Sequence, residues 1–331
     1  MSTAIGGYFE LELPAGSGAW HRNALCYQSA RAAFLALLQA GRPRTVWMPW
    51  FQCEVMFEPF AQTGIRVRRY ALDDTLNVRV DDGPEPGADD WLLYTNYFGI
   101  CGRHVDDVLA RFGPSRVVID NSQAFFNAPT DGLATLYSPR KFFGLPDGGY
   151  LVTRHAIGEP AGIDSGSASR CEHLLGRLGG EPEPTYASFV RADASLSNLP
   201  PLRMSALTQR MLSSIDYDAA SARRAENFSW LHEQLGSYNR LDISIGPGEA
   251  PLCYPLIPER GDAVGTATAL REFLRQQRVY VPTYWPGVED NENAPAFERS
   301  LPRSLLALPC DQRLTREQRE RVAHLVREWL G

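Results

Sequence analysis

The sequence predicts an α/β protein: a mostly parallel sheet with helices on both faces, followed by a smaller α+β part. Three observations predict it. Short apolar runs alternate with helical stretches from about residue 20 to 155, the rhythm of strand–helix–strand units. The 331 residues are 44% hydrophobic and 22% charged, which is ordinary for a globular chain with a sizeable core. At roughly 150 residues per domain, this length suggests two domains or one large unit with an appendage.

Each element has a local reason. Ser29 to Gly41 reads as a helix, with Ser29 as N-cap, Ala30, Ala33, Phe34, Leu37 and Leu38 as its apolar stripe, and Gly41 as its stop. Thr45 to Met48 reads as a strand, Cys53 to Gln62 as a helix ended near Gly64, and Ile65 to Tyr70 as a strand. Asp81 to Asp90 (DDGPEPGADD) is a loop. Trp91 to Thr95 and Arg116 to Ile119 read as buried strands flanking a helix from about Val105 to Phe112. Leu133 to Tyr137 and Gly149 to Val152 are further short strands. Residues 156 to 200 are rich in Gly, Pro, Ser and Glu and read as irregular, with a weak helix around Arg170 to Leu178. A long helical pattern from Arg203 to Leu235 breaks near Asp216. Leu252 to Ile257 and Arg278 to Val281 read as strands around a helix from Val264 to Gln277. Thr315 caps an amphipathic helix that runs to Leu330. These segments group as a large unit over 1–200, a connecting helix over 201–235 and a small α+β unit over 236–331.

Several classes are excluded. A net charge of −6 with no basic block argues against nucleic acid as the main partner. No run approaches the roughly 18 apolar residues of a membrane helix. The start, MSTAIGGYFELELP, lacks a basic segment followed by a long apolar one, so no secretory signal is expected. Cys26, Cys53, Cys101, Cys171, Cys253 and Cys310 are scattered, which reads as reduced thiols in a cytoplasmic protein. No Cys/His cluster suggests zinc, and no metal is expected.

Chemistry concentrates at a few positions. Of 33 basic residues one is lysine, Lys141, where an average chain of this size carries about twenty. Arginine cannot lose its proton to become an amine nucleophile, whereas lysine can, so Lys141 is a candidate Schiff-base residue. Asp120 ends the apolar strand RVVI, and ligands of open parallel sheets sit beyond the carboxyl ends of strands. Ser138 precedes the lysine by three residues, and a glycine-rich stretch follows it. Free N–H groups at Ser29 and Ala30 open a helix and make an anion site, to which Arg31 adds charge. Taken singly, each has a plainer reading: a leftover lysine, a strand-end turn, a loop serine, a simple N-cap. Together they describe a pyridoxal phosphate (PLP) site: an amine for the aldehyde, a carboxylate for the pyridine nitrogen, and hydroxyls at a helix N-terminus for the phosphate.

The order and spacing also resemble a known family. VVIDNSQAF is similar to the strand ending in Asp-x-x-Gln of the DegT–StrS PLP-dependent sugar aminotransferases, and YSPRKFFGLPDGGYLVT to their lysine segment. YQSARAAFLALL resembles the phosphate-binding helix start, LYTNYFGICG the strand and turn before the aspartate, and LRMSALTQRML the opening of the interdomain helix. VYVPTYWPG and LALPCDQRLTREQ resemble the small domain. The resemblance implies fold type I, an α/β/α sandwich with a C-terminal α+β domain. It implies that Asp120 pairs with the pyridinium, that Gln123 contacts the ring hydroxyl, and that Lys141 holds the cofactor aldehyde. It places Ser29, Ala30, Cys53 and Ser138 against the cofactor, and Arg31, Tyr97, Tyr284 and Trp285 toward the substrate.

Three positions depart from the family pattern. Cys53 stands where an aromatic ring commonly stacks, with Trp50 and Phe51 nearby. Leu136 replaces the usual phosphate serine, so Ser138 is expected to take over. Pro201 replaces an asparagine that reaches the neighbouring subunit, with Asn198 as substitute. The implied reaction moves an amino group from an amino-acid donor to a keto sugar, nucleotide-linked, in a homodimer with sites at the interface. Its rivals are another PLP reaction, such as elimination or racemisation, on a non-sugar substrate, and a non-catalytic regulatory protein of the same fold.

Overall fold

A computed structural model describes residues 5–331 except 17, 82 and 260. The first four residues of the start discussed above, and one residue of the Asp81–Asp90 loop, lie outside the described residues. In chain order the elements are β1 (Leu25–Tyr27), α1 (Ala30–Gly41), β2 (Thr45–Pro49), α2 (Glu58–Thr63), β3 (Arg66–Tyr70), β4 (Asp90–Thr95), α3 (Gly102–Phe112), β5 (Val117–Asn121), β6 (Ala134–Tyr137) and β7 (Gly149–Thr153). There follow α4 (Glu172–Gly179), α5 (Tyr186–Ala194), α6 (Ala206–Ser213), α7 (Tyr217–Leu235), β8 (Tyr254–Leu256), α8 (Ala263–Gln276), α9 (Ala296–Ser304), β9 (Leu306–Leu308) and α10 (Arg316–Leu330).

Seven strands form one sheet in the order β1-β7-β6-β5-β4-β2-β3. Strands β3, β2, β4, β5 and β6 run parallel, while β7 and β1 are antiparallel additions at one edge. Strand alternation explains how both faces are covered. Leu93, Val118 and Leu136 point to the side covered by Phe34, Leu37 and Leu38 of α1. Leu92, Tyr94, Val117 and Ile119 point to the other side, into a core shared with Phe228, Leu231, Leu256, Leu270 and Leu308. Each fully buried Leu or Phe of this kind contributes roughly 1.5–3 kcal/mol. The C-terminal part adds a two-stranded antiparallel sheet, β8 with β9.

Helix signals in the sequence work as capping chemistry. Ser29 Oγ accepts from Ala32 N at 3.2 Å and starts α1. Asp216 caps α7, and Thr315 with Gln318 forms a capping box on α10. Gly64 takes a left-handed φ of 70° and ends α2, as expected.

Gly41 acts otherwise. It stays helical, and a Cβ there would fall 2.2 Å from the Trp91 ring, so its lack of a side chain admits that ring. Arg42 takes the left-handed turn instead. The strand expected at Arg278–Val281 does not form. The chain leaves α8 through left-handed Arg278, Val279 N bonds back to Leu274 O, and residues 279–281 join no described strand. The region 156–200, read as irregular with one weak helix, carries α5 as well as α4. The sequence reading also omitted β1, α9 and β9, all short or interrupted by proline.

Candidate active site

The carboxyl ends of the parallel strands converge on one cavity of about 260 Å³. Asp120 stands within β5, one residue before its end, beside Thr95 of β4 and Leu136 of β6. It is buried, and its Oδ1 accepts from Ser122 N at 2.9 Å; its other oxygen has no hydrogen-bond partner among the described residues. Gln123 is fully buried and lines the same cavity. Its Oε1 accepts from Phe98 N at 2.8 Å, while its Nε2 is a buried donor without a partner. A fully enclosed amide that lacks an acceptor is costly, so this one fits a cavity that holds an acceptor group.

On the opposite side β6 ends, Ser138 follows, and Pro139–Lys141 forms a turn of 3-10 helix that presents Lys141 at the cavity wall. Lys141 is exposed, and no ion pair ties its amine among the described residues. The glycines after it have a packing reason. Gly148 N donates to Gln28 O at 2.7 Å, with a φ of 128°. A Cβ on Gly149 would meet the Ser29 carbonyl carbon at 2.2 Å and Ala30 N at 2.4 Å. The two glycines therefore let β7 lie on the amino end of α1. Ser29, Ala30, Ser138 and Lys141 meet at the cavity for that reason.

Two guanidiniums complete this side, Arg31 buried and Arg140 partly so. Arg31 Nη1 bonds to Glu58 Oε1 at 2.9 Å and Ser197 Oγ at 3.0 Å. Arg140 Nη2 bonds to Asp193 Oδ1 at 3.0 Å, and its Nε has no partner. Burial, with Arg31 and Arg170 close by, holds the Arg140 pKa below its ordinary value despite Asp193. The cavity wall thus carries positive charge next to a helix amino end, a setting for an anion.

No family model matches the chain, and no curated protein matches it. Solved structures do. A DegT DnrJ EryC1 StrS aminotransferase from Brucella abortus aligns over 93% of this chain and 86% of its own, at 15% identity and TM-score 0.60. Spr1654 of Streptococcus pneumoniae in its PLP form aligns over 93% and 88%, at 12% identity and TM-score 0.62. DesI, solved in the presence of its TDP-sugar product, aligns over 93% and 80%, at 20% identity and TM-score 0.61. The chain has the fold of the DegT–StrS aminotransferases. It is a fold type I architecture, an α/β/α sandwich built on a mostly parallel sheet.

Within that fold the expected site residues divide. Ser29, Ala30, Arg31, Cys53, Asp120, Gln123, Ser138, Lys141 and Trp285 all line the cavity. Tyr97 and Tyr284, expected toward the substrate, do not. Tyr97 is buried in the core, its hydroxyl donating to Phe51 O at 2.8 Å, and Tyr284 packs against Phe98. Burial pushes both hydroxyls well above their ordinary pKa. Leu136 is buried in the core on the α1 side, leaving Ser138 as the hydroxyl beside the lysine. Asn198 is exposed and left-handed, with its N–H on Glu58 Oε2 at 2.8 Å, and it does not line the cavity. Sequence reasoning missed Gln52, Thr95, Arg140, Phe189 and Asp193. Arg140 had a signal, its place beside the lysine; the α5 residues had none. No group of three or more metal-ligating side chains occurs among the described residues, and no helix there is long and apolar enough to cross a membrane.

Proposed function

We propose that this chain is a PLP-dependent aminotransferase of the DegT–StrS type, moving an amino group from an amino-acid donor to a keto sugar. The observation that carries the reading is the meeting of Lys141, Asp120 and the unsatisfied Nε2 of Gln123 in one cavity at the strand ends. PLP, when bound, supplies an aldehyde for an amine and a ring that accepts electrons released at the neighbouring carbon. The residues present fit it. The free oxygen of Asp120 would accept from the ring N–H and favour its protonated form, and Gln123 Nε2 would donate to the ring oxygen. The amides opening α1, with the hydroxyls of Ser29 and Ser138, would hold the phosphate, and Arg31 and Arg140 would add positive field. Cys53 lines the wall where the family stacks a ring. Lys141 would hold the cofactor's aldehyde through its amine, and its Nζ would serve as the base for the proton on the donor's α-carbon.

The proposal extends to a cytoplasmic homodimer with the division 1–200, 201–235 and 236–331. Six free cysteines support a reducing compartment. Exposed Leu175, Leu178, Tyr186, Phe189 and Val190, of which Phe189 also lines the cavity, supply an apolar surface for a second copy. The test uses the purified protein. It should be yellow, and borohydride should fix the cofactor to Lys141. Glutamate or another amino acid should bleach the absorption with one equivalent of 2-oxo acid per site, and a keto sugar should restore it. A peptide map without an adduct at Lys141 overturns the reading. Absorption that no donor changes points to the regulatory rival instead.

A further inference from the structure

Lys141 and Gln123 reach the cavity from different segments, and one buried side chain outside it bonds behind both. Arg224 stands on α7, is 2% exposed, and does not line the cavity. Its Nε donates to Gln312 Oε1 at 2.7 Å. Its Nη1 donates to Pro251 O at 3.0 Å and Leu252 O at 3.2 Å, and its Nη2 to Phe142 O at 3.4 Å. The guanidinium carbon lies 4.6 Å from the centre of the Phe142 ring. These acceptors are all neutral, and Asp311, close by, is engaged by Arg313 at 2.8 and 2.9 Å. A cation kept in the interior without a carboxylate is costly, and a well-packed apolar side chain would cost less. What the guanidinium supplies instead is a rigid fork that joins three segments at once.

Two of those segments lead to the site. Phe142 directly follows Lys141, and its carbonyl also accepts from Gln312 Nε2 at 2.9 Å. Because Arg224 occupies Gln312 Oε1, the far end of that amide is its nitrogen, which suits the Phe142 carbonyl. The Lys141 turn is thus held from behind, at the peptide after the lysine. The second path runs through Leu252, whose N–H donates to Phe98 O at 2.8 Å. Phe98 has a left-handed φ of 57°, and its N–H donates to Gln123 Oε1 at 2.8 Å. That bond fixes the Gln123 amide and leaves Nε2 for the cavity.

Resting on the aminotransferase reading, we infer that Arg224, with Gln312, is a positioning clamp that sets where the Lys141 amine and the Gln123 amide stand relative to each other. Neither clamp residue lines the cavity, so the pair acts through the two groups it holds.

The test reads hydrogen exchange by mass spectrometry, with and without PLP, and the glutamate half-reaction of the holoenzyme. Arg224→Gln should speed exchange in peptides covering residues 140–143 about tenfold, by freeing a local opening. It should lower the limiting rate of bleaching by glutamate roughly ten- to a hundredfold, the effect of moving a reacting group by about 1 Å. The half-saturating glutamate concentration should stay within about twofold, because contacts to the donor are kept. Arg224→Lys should recover part of both losses, since the charge remains and the fork is lost. Leu231→Ala, a buried truncation on the same helix, should lower Tm yet leave exchange at 140–143 and the limiting rate near wild type. The clamp is overturned if Arg224→Gln changes neither exchange nor rate, or if Leu231→Ala changes both as much. Should Arg224→Gln not fold, Gln312→Leu at its partly exposed position decides: faster exchange at 140–143 supports the clamp and unchanged exchange overturns it. Wild type that neither glutamate nor another amino acid bleaches ends the aminotransferase reading, while exchange without PLP still decides the clamp.

Discussion

The two sides of the cavity are built differently. One side is the sheet itself: Thr95, Asp120 and Gln123 are at most 2% exposed, the first two paired in register across β4 and β5 and Gln123 two residues past the end of β5. The other is α5, where Phe189 is 46% exposed and the Asp193 side chain equally so. A group on a strand end between two paired neighbours has nowhere to move, which suits chemistry that needs fixed geometry. A half-exposed helix packs loosely and tolerates change, which suits contact with a substrate or a second subunit. The lysine turn lies between them, anchored through the glycines to α1 and exposed at its amine.

The sharpest way to break this contrast is Lys141→Arg. It keeps the charge but removes the neutral amine, and stopped-flow absorption with glutamate should show at least about a thousandfold loss. Residual turnover near wild type would take the chemistry away from the sheet side. Asp120→Ala comes next, with a loss of at least roughly a hundredfold in the donor half-reaction, the scale of one main electrostatic stabiliser. A near-normal rate would reduce Asp120 to a turn residue.

The third probe is acid. His21 stacks on Tyr137 behind the lysine turn, with Nε2 2.8 Å from Phe125 O, and burial lowers its pKa from 6.5 to about 4. The folded state then holds fewer protons than the unfolded one between these values. Stability should therefore fall as pH drops from about 6.5 to about 4, by about 2–3 kcal/mol. Melting temperatures across this window check it, and His21→Gln should flatten the slope. An unchanged slope in the variant assigns the acid sensitivity elsewhere. Asp193→Asn on the α5 side should do least. It removes a half-exposed partner of Arg140, and both calorimetric stability (less than about 1 kcal/mol) and half-reaction rate should barely move. A change as large as that of Asp120→Ala would erase the distinction between the two sides.

Much of the sheet side was legible. Apolar runs mark β4, β5 and β6, and an acid or hydroxyl at the end of such a run is conspicuous. Ser29, Asp216 and Thr315 announced their helices through capping chemistry, which is local. The α5 side was not legible, because Pro182 and Pro184 and a polar composition conceal a helix that packs weakly. Tyr97 and Tyr284 matched segments of the right kind, yet the core took their rings. The strand expected at Arg278–Val281 failed because β-propensity without a neighbouring edge gains no ladder bonds.

By itself the sequence determined the parallel α/β rhythm, the helix starts, and the short set of groups capable of the chemistry, among them its one lysine. Those properties depend on residues within a turn or two of each other, or on the chemistry of a single side chain. Tertiary structure decided the rest: that Gly149 lies on Ser29, that Gln123 Nε2 meets no acceptor among the described residues, and that Arg69 lies against the rings of Trp50 and Phe57. Each of these depends on which distant segment occupies the neighbouring volume. That is set by how the whole chain packs, and a local pattern carries no record of it.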